Sequence, residues 1–460
     1  MHPRTNEKTK KRYFLSIFLI VSGCSMTYIA NAAPTELTLR YQHHIFSLRP
    51  SQYPSWRSVH EEWRYDGRPF RAPQSMRIEG DDTAELPRGI TRTTVQQWDT
   101  AAIAVTLQSK VASALDRLVG TVRISRDVHG TITFEGVGLP GRHVDIPTAA
   151  ALVAAAMERG IAHVTLPVVE KQPSIVVQDP ELVKQGIFEV VTVGESDYSG
   201  SPMARRHNIA VGLAKFNGHI IPKDSVFSFN EVLGPVNGAT GYKKELVILG
   251  ERTLPDFGGG LCQVSTTAYR GVWEYGFPIE ARRNHSFAVR YYGPQGTDAT
   301  VYPPQTDMQF TNDTPGALLL QTYAADNKAY FIYYGTKDDR RSDIYGPYTW
   351  GRVDPPGDRS EYTAEIPAGT TRKVGDRVPG MRAAWFRVVT GSQMEHSAEH
   401  IEPVYSIYEA RPLFTQIGVE AGSPLLSSSA ASEESISSAV EQSSSSSGAR
   451  SSTRPIRRRD

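Results

Sequence analysis

The sequence predicts an α+β protein built of several units, and three observations carry that expectation. Helical and strand-like periodicities alternate between about residues 100 and 170, which gives a mixed α/β unit. A block from Arg205 to about Gly335 is dense in Gly, aromatic and β-branched residues around one well-marked helix. Short alternating segments such as Trp385-Phe386-Arg387-Val388-Val389 then fill 360–418, which reads as a small all-β module. A length of 460 residues suits roughly two to four domains.

The first 32 residues have the three parts of a secretory signal. Lys8, Lys10, Lys11 and Arg12 supply the basic part, Tyr13 to Val21 the apolar run, and Ala30-Asn31-Ala32 a small-residue cleavage site. The apolar run is well short of the ~20 residues that cross a bilayer as a helix. Val21-Ser22-Gly23-Cys24 also resembles a lipobox, so lipidation at Cys24 and an uncleaved anchor compete with cleavage at Ala32. All three place the folded chain outside the cytoplasm, in the wall or at the membrane.

Beyond the signal, Leu37 to Tyr41 alternate as a strand does. Ile103, Leu107, Val111, Leu115 and Leu118 recur at helical spacing over Thr100 to Leu118. Strands are expected at Val122–Val128 and Thr131–Val137, joined by a turn at His129-Gly130. A second helix is capped by Asp145, begins with Pro147 in its first turn and ends at Gly160. Ala162 to Val169 complete this unit as a strand, so a first region spans 34–172, and its scattered charges mark no catalytic pair. Pro173, Pro180 and the run from Gly194 to Pro202 suggest a linker over about 173–200. Pro347, Pro355, Pro356 and Gly357 suggest a second boundary after Tyr345. From Ser423 the chain is Ser-rich and too poor in apolar residues to fold, which predicts a disordered tail over 423–460.

A net charge of +1 gives no global basic field, so nucleic acid is not an expected partner. Only two cysteines occur, Cys24 and Cys262. Once Cys24 leaves with the signal or is lipidated, no intramolecular disulfide can form, and an exported chain with one thiol is unusual. Cys262 either fills a gap as a small hydrophobe or reacts.

The stretch 257–301 is where chemistry is expected. Gly258, Gly259 and Gly260 permit positive φ and close approach of another backbone. Leu261, Val264, Ala268, Val272 and Tyr275 form one buried helical stripe, ended by Gly276 and Pro278. Cys262 then sits in the first turn, where unpaired N–H groups and the helix dipole favour a thiolate and could receive an oxyanion. A nucleophilic cysteine needs a base, and His285 begins a returning strand expected over Ser286 to Tyr292. Asp298 is a candidate to orient the imidazole, a task a backbone carbonyl could also do; His207 and His219 are the other histidines of this block. Gly259, Gly260, Gln263, Ser265 and Thr266 surround the thiol and are assigned to substrate binding. One cysteine and dispersed histidines lack the spacing of a metal site, and no cofactor is expected.

Gly258-Gly259-Gly260-Leu261-Cys262-Gln263-Val264-Ser265-Thr266-Thr267 resembles the central motif of VanW-domain proteins. Asn284-His285-Ser286, Asp298-Ala299-Thr300-Val301 and Pro222 to Asn230 extend the resemblance over roughly 204–335. The unit at about 105–170 is similar to the peptidoglycan-binding domain that often precedes a VanW domain. Residues 360–418 resemble, weakly and without its usual glycines, the small β module that often follows. The resemblance implies a bacterial cell-envelope protein acting on peptidoglycan. It further implies an L,D-transpeptidase in which Cys262 forms a thioester with a stem peptide and His285 moves the protons. A non-catalytic wall-binding or scaffold protein, and a cysteine peptidase using water, are the competing expectations.

Overall fold

The computed structural model describes residues 33–71, 88–249, 252–391 and 400–426. The expected export signal with Cys24, and the tail from residue 427 onward, lie outside the described residues.

The first half contains β1 (Leu37–Tyr41), β2 (His44–Leu48), β3 (Arg57–Tyr65), β4 (Arg68–Pro69) and β5 (Ile90–Trp98). Next come α1 (Thr100–Leu107), a wider-wound turn at Gln108–Ala112, and α2 (Ser113–Leu115), which together realise the expected helix. They are followed by β6 (Thr121–Arg126), β7 (Ile132–Gly136), β8 (Gly141–Val144), α3 (Ile146–Glu158), β9 (His163–Thr165), β10 (Val168–Lys171), β11 (Ser174–Val177) and α4 (Pro180–Lys184). Asp145 caps α3 as expected, accepting the Thr148 N–H at 3.2 Å. Leu37 and Leu39 of β1 join Ile103, Leu107, Val153 and Met157 in one core.

The second block is α+β. It comprises β12 (Glu189–Asp197), α5 (Met203–Phe216), β13 (Ile220–Ile221), β14 (Val226–Ser228), α6 (Phe229–Leu233), β15 (Lys244–Leu249), β16 (Arg252–Phe257) and α7 (Leu261–Tyr275). It closes with β17 (Ile279–Ala281), β18 (Gln309–Thr311), β19 (Leu318–Ala325) and β20 (Lys328–Gly335). The main sheet runs β12-β20-β19-β13, with α5 and α7 packed against it.

The expected linker over 173–200 is corrected here. β11 pairs in parallel with β6, and β12 pairs with β20 along its whole length. Val122, Ile124 and Ile132 of the first half share a core with Leu182, Ile187, Val190 and Tyr330. Gly194, which looked like loop punctuation, is instead a site of close approach. A Cβ there would lie 1.9 Å from the Thr267 carbonyl oxygen and 3.0 Å from Gly271 N, both on α7.

The third block is all-β, as expected, but begins earlier than 360. β21 (Arg341–Val353) precedes β22 (Arg359–Thr363), β23 (Thr371–Val374), β24 (Gly380–Thr390), β25 (His400–Tyr408) and β26 (Phe414–Gly418). β21 passes straight through the expected boundary and accommodates Pro347 at a register shift between Tyr345 and Tyr348. The block docks on α7. Trp385 packs edge-on to Trp273, and Arg387 donates to the Trp273 and Phe277 carbonyls at 2.8 and 2.9 Å.

That docking changes the reading of α7. The expected single stripe is correct but incomplete, because Gln263, Ser265, Thr266, Thr267, Tyr269, Arg270, Trp273 and Glu274 are buried as well. The helix runs through the interior between the sheet, α5 and the third block, so most of its circumference is covered.

Candidate active site

Phe257 ends β16, and the chain turns into α7 through Gly258 at φ +83° and Gly260 at φ +116°. Both values lie in the left-handed region that favours glycine. Buried Asn208 on α5 holds the turn from outside. Its amide donates to the Lys243 and Gly259 carbonyls at 2.9 and 3.0 Å, and its oxygen accepts the Lys243 N–H at 2.8 Å. Gly260 is the N-cap of α7, so no side chain covers the helix start, and Cys262 is the second helical residue, partly exposed. The Leu261 and Gln263 N–H groups donate to Gly258 and Gly260 carbonyls at 2.9 and 3.0 Å. The Cys262 N–H between them has no hydrogen-bond partner among the described residues.

His285 lies just beyond β17 and is 2% exposed. The segment 286–292 that follows is a loop with a short turn at Arg290–Tyr292, so the strand expected there is corrected. The loop returns Tyr292 beneath the imidazole, while the backbone reaching His285 comes off β17. His285 Nδ1 is 2.6 Å from Asp298 Oδ2, which also accepts the His285 backbone N–H at 2.8 Å. Because a carboxylate only accepts, Nδ1 carries the proton and Nε2 is the basic nitrogen. Nε2 is buried and makes no hydrogen bond to the described residues.

The Cys262 sulfur is 3.3 Å from Thr300 Oγ1 and 3.6 Å from the Val301 carbonyl oxygen. Burial opposes ionisation of this thiol, yet the adjoining His285 brings it down to about 7. Burial likewise opposes charge on His285, but Asp298 and then Cys262 raise it to about 9. Asp298 is held far below the usual carboxylate range against its own burial, by His285 and then Arg282. The three groups therefore favour a thiolate beside an imidazolium, with a carboxylate behind it.

The sulfur opens on a cleft of about 1120 Å³. Its walls are the β15–β16 hairpin, the loop 287–292, the Tyr302-Pro303-Pro304 segment, and Gly375 to Val378 with Arg411 from the third block. Gly259 and Gly260 line it. Gln263, Ser265 and Thr266 do not, and their assignment is corrected: all three are fully buried. Gln263 bridges Arg205 and Ser196 at 2.9 Å each, and both hydroxyls bond the Ala299 carbonyl. They hold the 297–301 segment and α5 against α7. His207 bonds the Gly241 carbonyl at 2.8 Å and His219 packs edge-on to Phe227, so neither joins the thiol.

Residues 204–334 match the family described as VanW like protein. The central part of this chain is therefore similar to a VanW-like domain. A curated relative, "Uncharacterized protein YoaR" from Bacillus subtilis (strain 168), is 33% identical over 124 residues. The alignment covers 27% of this chain and 41% of that protein, so the chain spans less than half of the relative's length. The VanW-like match contains Cys262, His285 and Asp298, but stops short of Tyr408, whose hydroxyl donates to Asp298 Oδ1 at 2.5 Å. Sequence reading missed Tyr408, Tyr292 and Arg282. Of these, Arg282 alone had a signal, standing three residues before His285 in an otherwise compact motif.

Proposed function

We infer that this protein is an exported cysteine acyltransferase of the cell wall, an L,D-transpeptidase acting on peptidoglycan stem peptides. The observation that carries this reading is that Cys262 and His285 line an open cleft, with Asp298 buried behind the imidazole. The first region, 34–172, is proposed to hold peptidoglycan, and the signal at 1–32 to deliver the chain outside the cytoplasm.

The Cys262 thiolate attacks the carbonyl carbon of an L,D peptide bond. The new oxyanion is received by the Cys262 N–H at the uncapped start of α7. The imidazolium gives its Nε2 proton to the leaving amine as the C–N bond breaks, and a thioester remains. A neighbouring stem's amine then gives its proton to Nε2 while attacking the thioester. Collapse forms the new amide and returns the thiolate.

The test is incubation of the purified protein with stem-peptide fragments and an amine acceptor, with product masses measured. A cross-linked product that disappears in Cys262→Ala is the expected result. Hydrolysis alone would assign a cysteine peptidase. No turnover, with Cys262 alkylating no faster than a free thiol at neutral pH, would assign a non-catalytic wall-binding protein.

A further inference from the structure

We propose that Tyr408, at the end of β25 in the third block, is a positioning residue that locks Asp298 onto His285. The VanW-like stretch is therefore incomplete as a catalytic unit without the β module behind it. The inference rests on reading Cys262 and His285 as a reacting pair.

The direction of each hydrogen bond can be assigned. The Gly296 N–H donates to Tyr408 Oη at 2.7 Å, so the phenol is an acceptor there. Its own proton then goes to Asp298 Oδ1. Arg282 Nη2 reaches the same oxygen at 3.2 Å. Oδ2 meanwhile takes the backbone N–H and Nδ1–H of His285. Four donors thus divide between the two oxygens of a carboxylate that is 1% exposed. With Oδ1 engaged, rotation of the carboxylate away from His285 would strand buried donors.

β25 also fixes the loop that carries the histidine. Arg282 Nη1 donates to Ser406 Oγ at 2.9 Å, and the Asn284 amide to the Ile407 carbonyl at 2.7 Å. The Glu409 N–H donates to the Ser286 carbonyl at 2.7 Å. Residues on both sides of His285 are therefore tied to β25 and to Glu409 just after it, all outside the 204–334 match.

The experiment compares the purified protein with Tyr408→Phe by two readouts. One is the rate of Cys262 alkylation against pH; the other is the downfield Nδ1–H resonance of His285 after selective histidine labelling. With Tyr408→Phe, alkylation at pH 7 should fall about tenfold, the scale of losing a hydrogen bond to a charged group. Its midpoint should move up toward that of an ordinary thiol, and the resonance should broaden or vanish, with unfolding temperature kept as a control. A resonance unchanged in Tyr408→Phe overturns the proposal, whether or not the alkylation rate falls. If wild-type Cys262 titrates as an ordinary thiol, the nucleophile reading fails, while the histidine resonance still decides the role of Tyr408. Should Tyr408→Phe not fold, 3-fluorotyrosine at 408 keeps the shape and strengthens the donor. It must shift the His285 resonance, and an unshifted resonance overturns the proposal equally.

Discussion

His285 stacks on Tyr292, with ring centroids 4.2 Å apart and planes 12° from parallel. Arg205 Nη2 reaches the Tyr292 hydroxyl at 3.3 Å, so the stacking platform is itself anchored to α5. The platform keeps the imidazole plane aligned with the bond to Asp298. Tyr292→Phe retains the ring and should leave Cys262 alkylation close to wild type. Tyr292→Leu removes it and should slow alkylation about two- to tenfold, the equivalent of the ~0.5–1.5 kcal/mol an aromatic pair contributes beyond its buried area. Equal rates in the two variants would show that stacking does not hold the base.

The pH response follows from the same pair. Cys262 is brought down to about 7 and His285 raised to about 9, so the thiolate–imidazolium form fills the window between them. Acyl transfer should rise as pH passes 7 and fall as it passes 9, since the proton given to the leaving amine is lost there. Removing the base with His285→Ala leaves burial set against only the weaker Thr300 and Val301 contacts on the thiol. Its alkylation midpoint should then climb toward the ordinary value near 9, making the reaction at pH 7 about 50-fold slower. A midpoint that stays near 7 in His285→Ala would assign the activation to the helix start instead.

Much of the site could be read from the chain because it is local. Gly258 to Val301 carry the nucleophile, base and orienting acid within one turn–helix–loop passage, each with a residue type suited to its task. Tyr408 could not be read, because its contact with Asp298 crosses 110 residues and depends on how β25 docks. Gln263, Ser265 and Thr266 misled for a related reason. Polar residues beside a nucleophile suggest a binding surface, but α7 is covered on most sides and its polar groups bond inward. Gly194 and Pro347 are residue types that suggest breaks, yet both lie inside strands. One allows β12 to touch α7, and the other occupies an irregularity of β21.

The mistaken linker contains a buried charge that ties the two halves together. Glu195 on β12 faces Arg117 and Arg142 from the first half, each at 3.0 Å, and Lys328 of β20 at 3.5 Å. Glu195→Ala would leave these cations in a buried setting without their shared counter-charge. Such losses cost about 3–5 kcal/mol, so a large fall in chemical-denaturation stability is expected. A loss below about 1 kcal/mol would show that water already screens the cluster.

The far end of α7 makes a second link to the first half, through Glu274 and His43. The carboxyl lies 2.5 Å from His43 Nδ1, and both side chains are almost fully buried. Burial is the first cause in each: it raises Glu274 to about 8 and holds His43 well below its ordinary value. Both groups are therefore neutral at pH 7, with the carboxyl donating to the ring nitrogen. An acid whose folded-state value is raised binds a proton in the native state that the unfolded chain has already lost. Its stabilisation is complete below the unfolded value of 4.5 and declines as pH rises toward 8. Glu274→Gln keeps a donor and removes the titration, so its stability should change less between pH 5 and 8 than that of wild type. The stability change between pH 5 and 8 should differ between the two proteins by about 3–4 kcal/mol. Denaturant melts of both proteins at several pH values measure it, and parallel curves would mean that Glu274 is ionised in the folded protein.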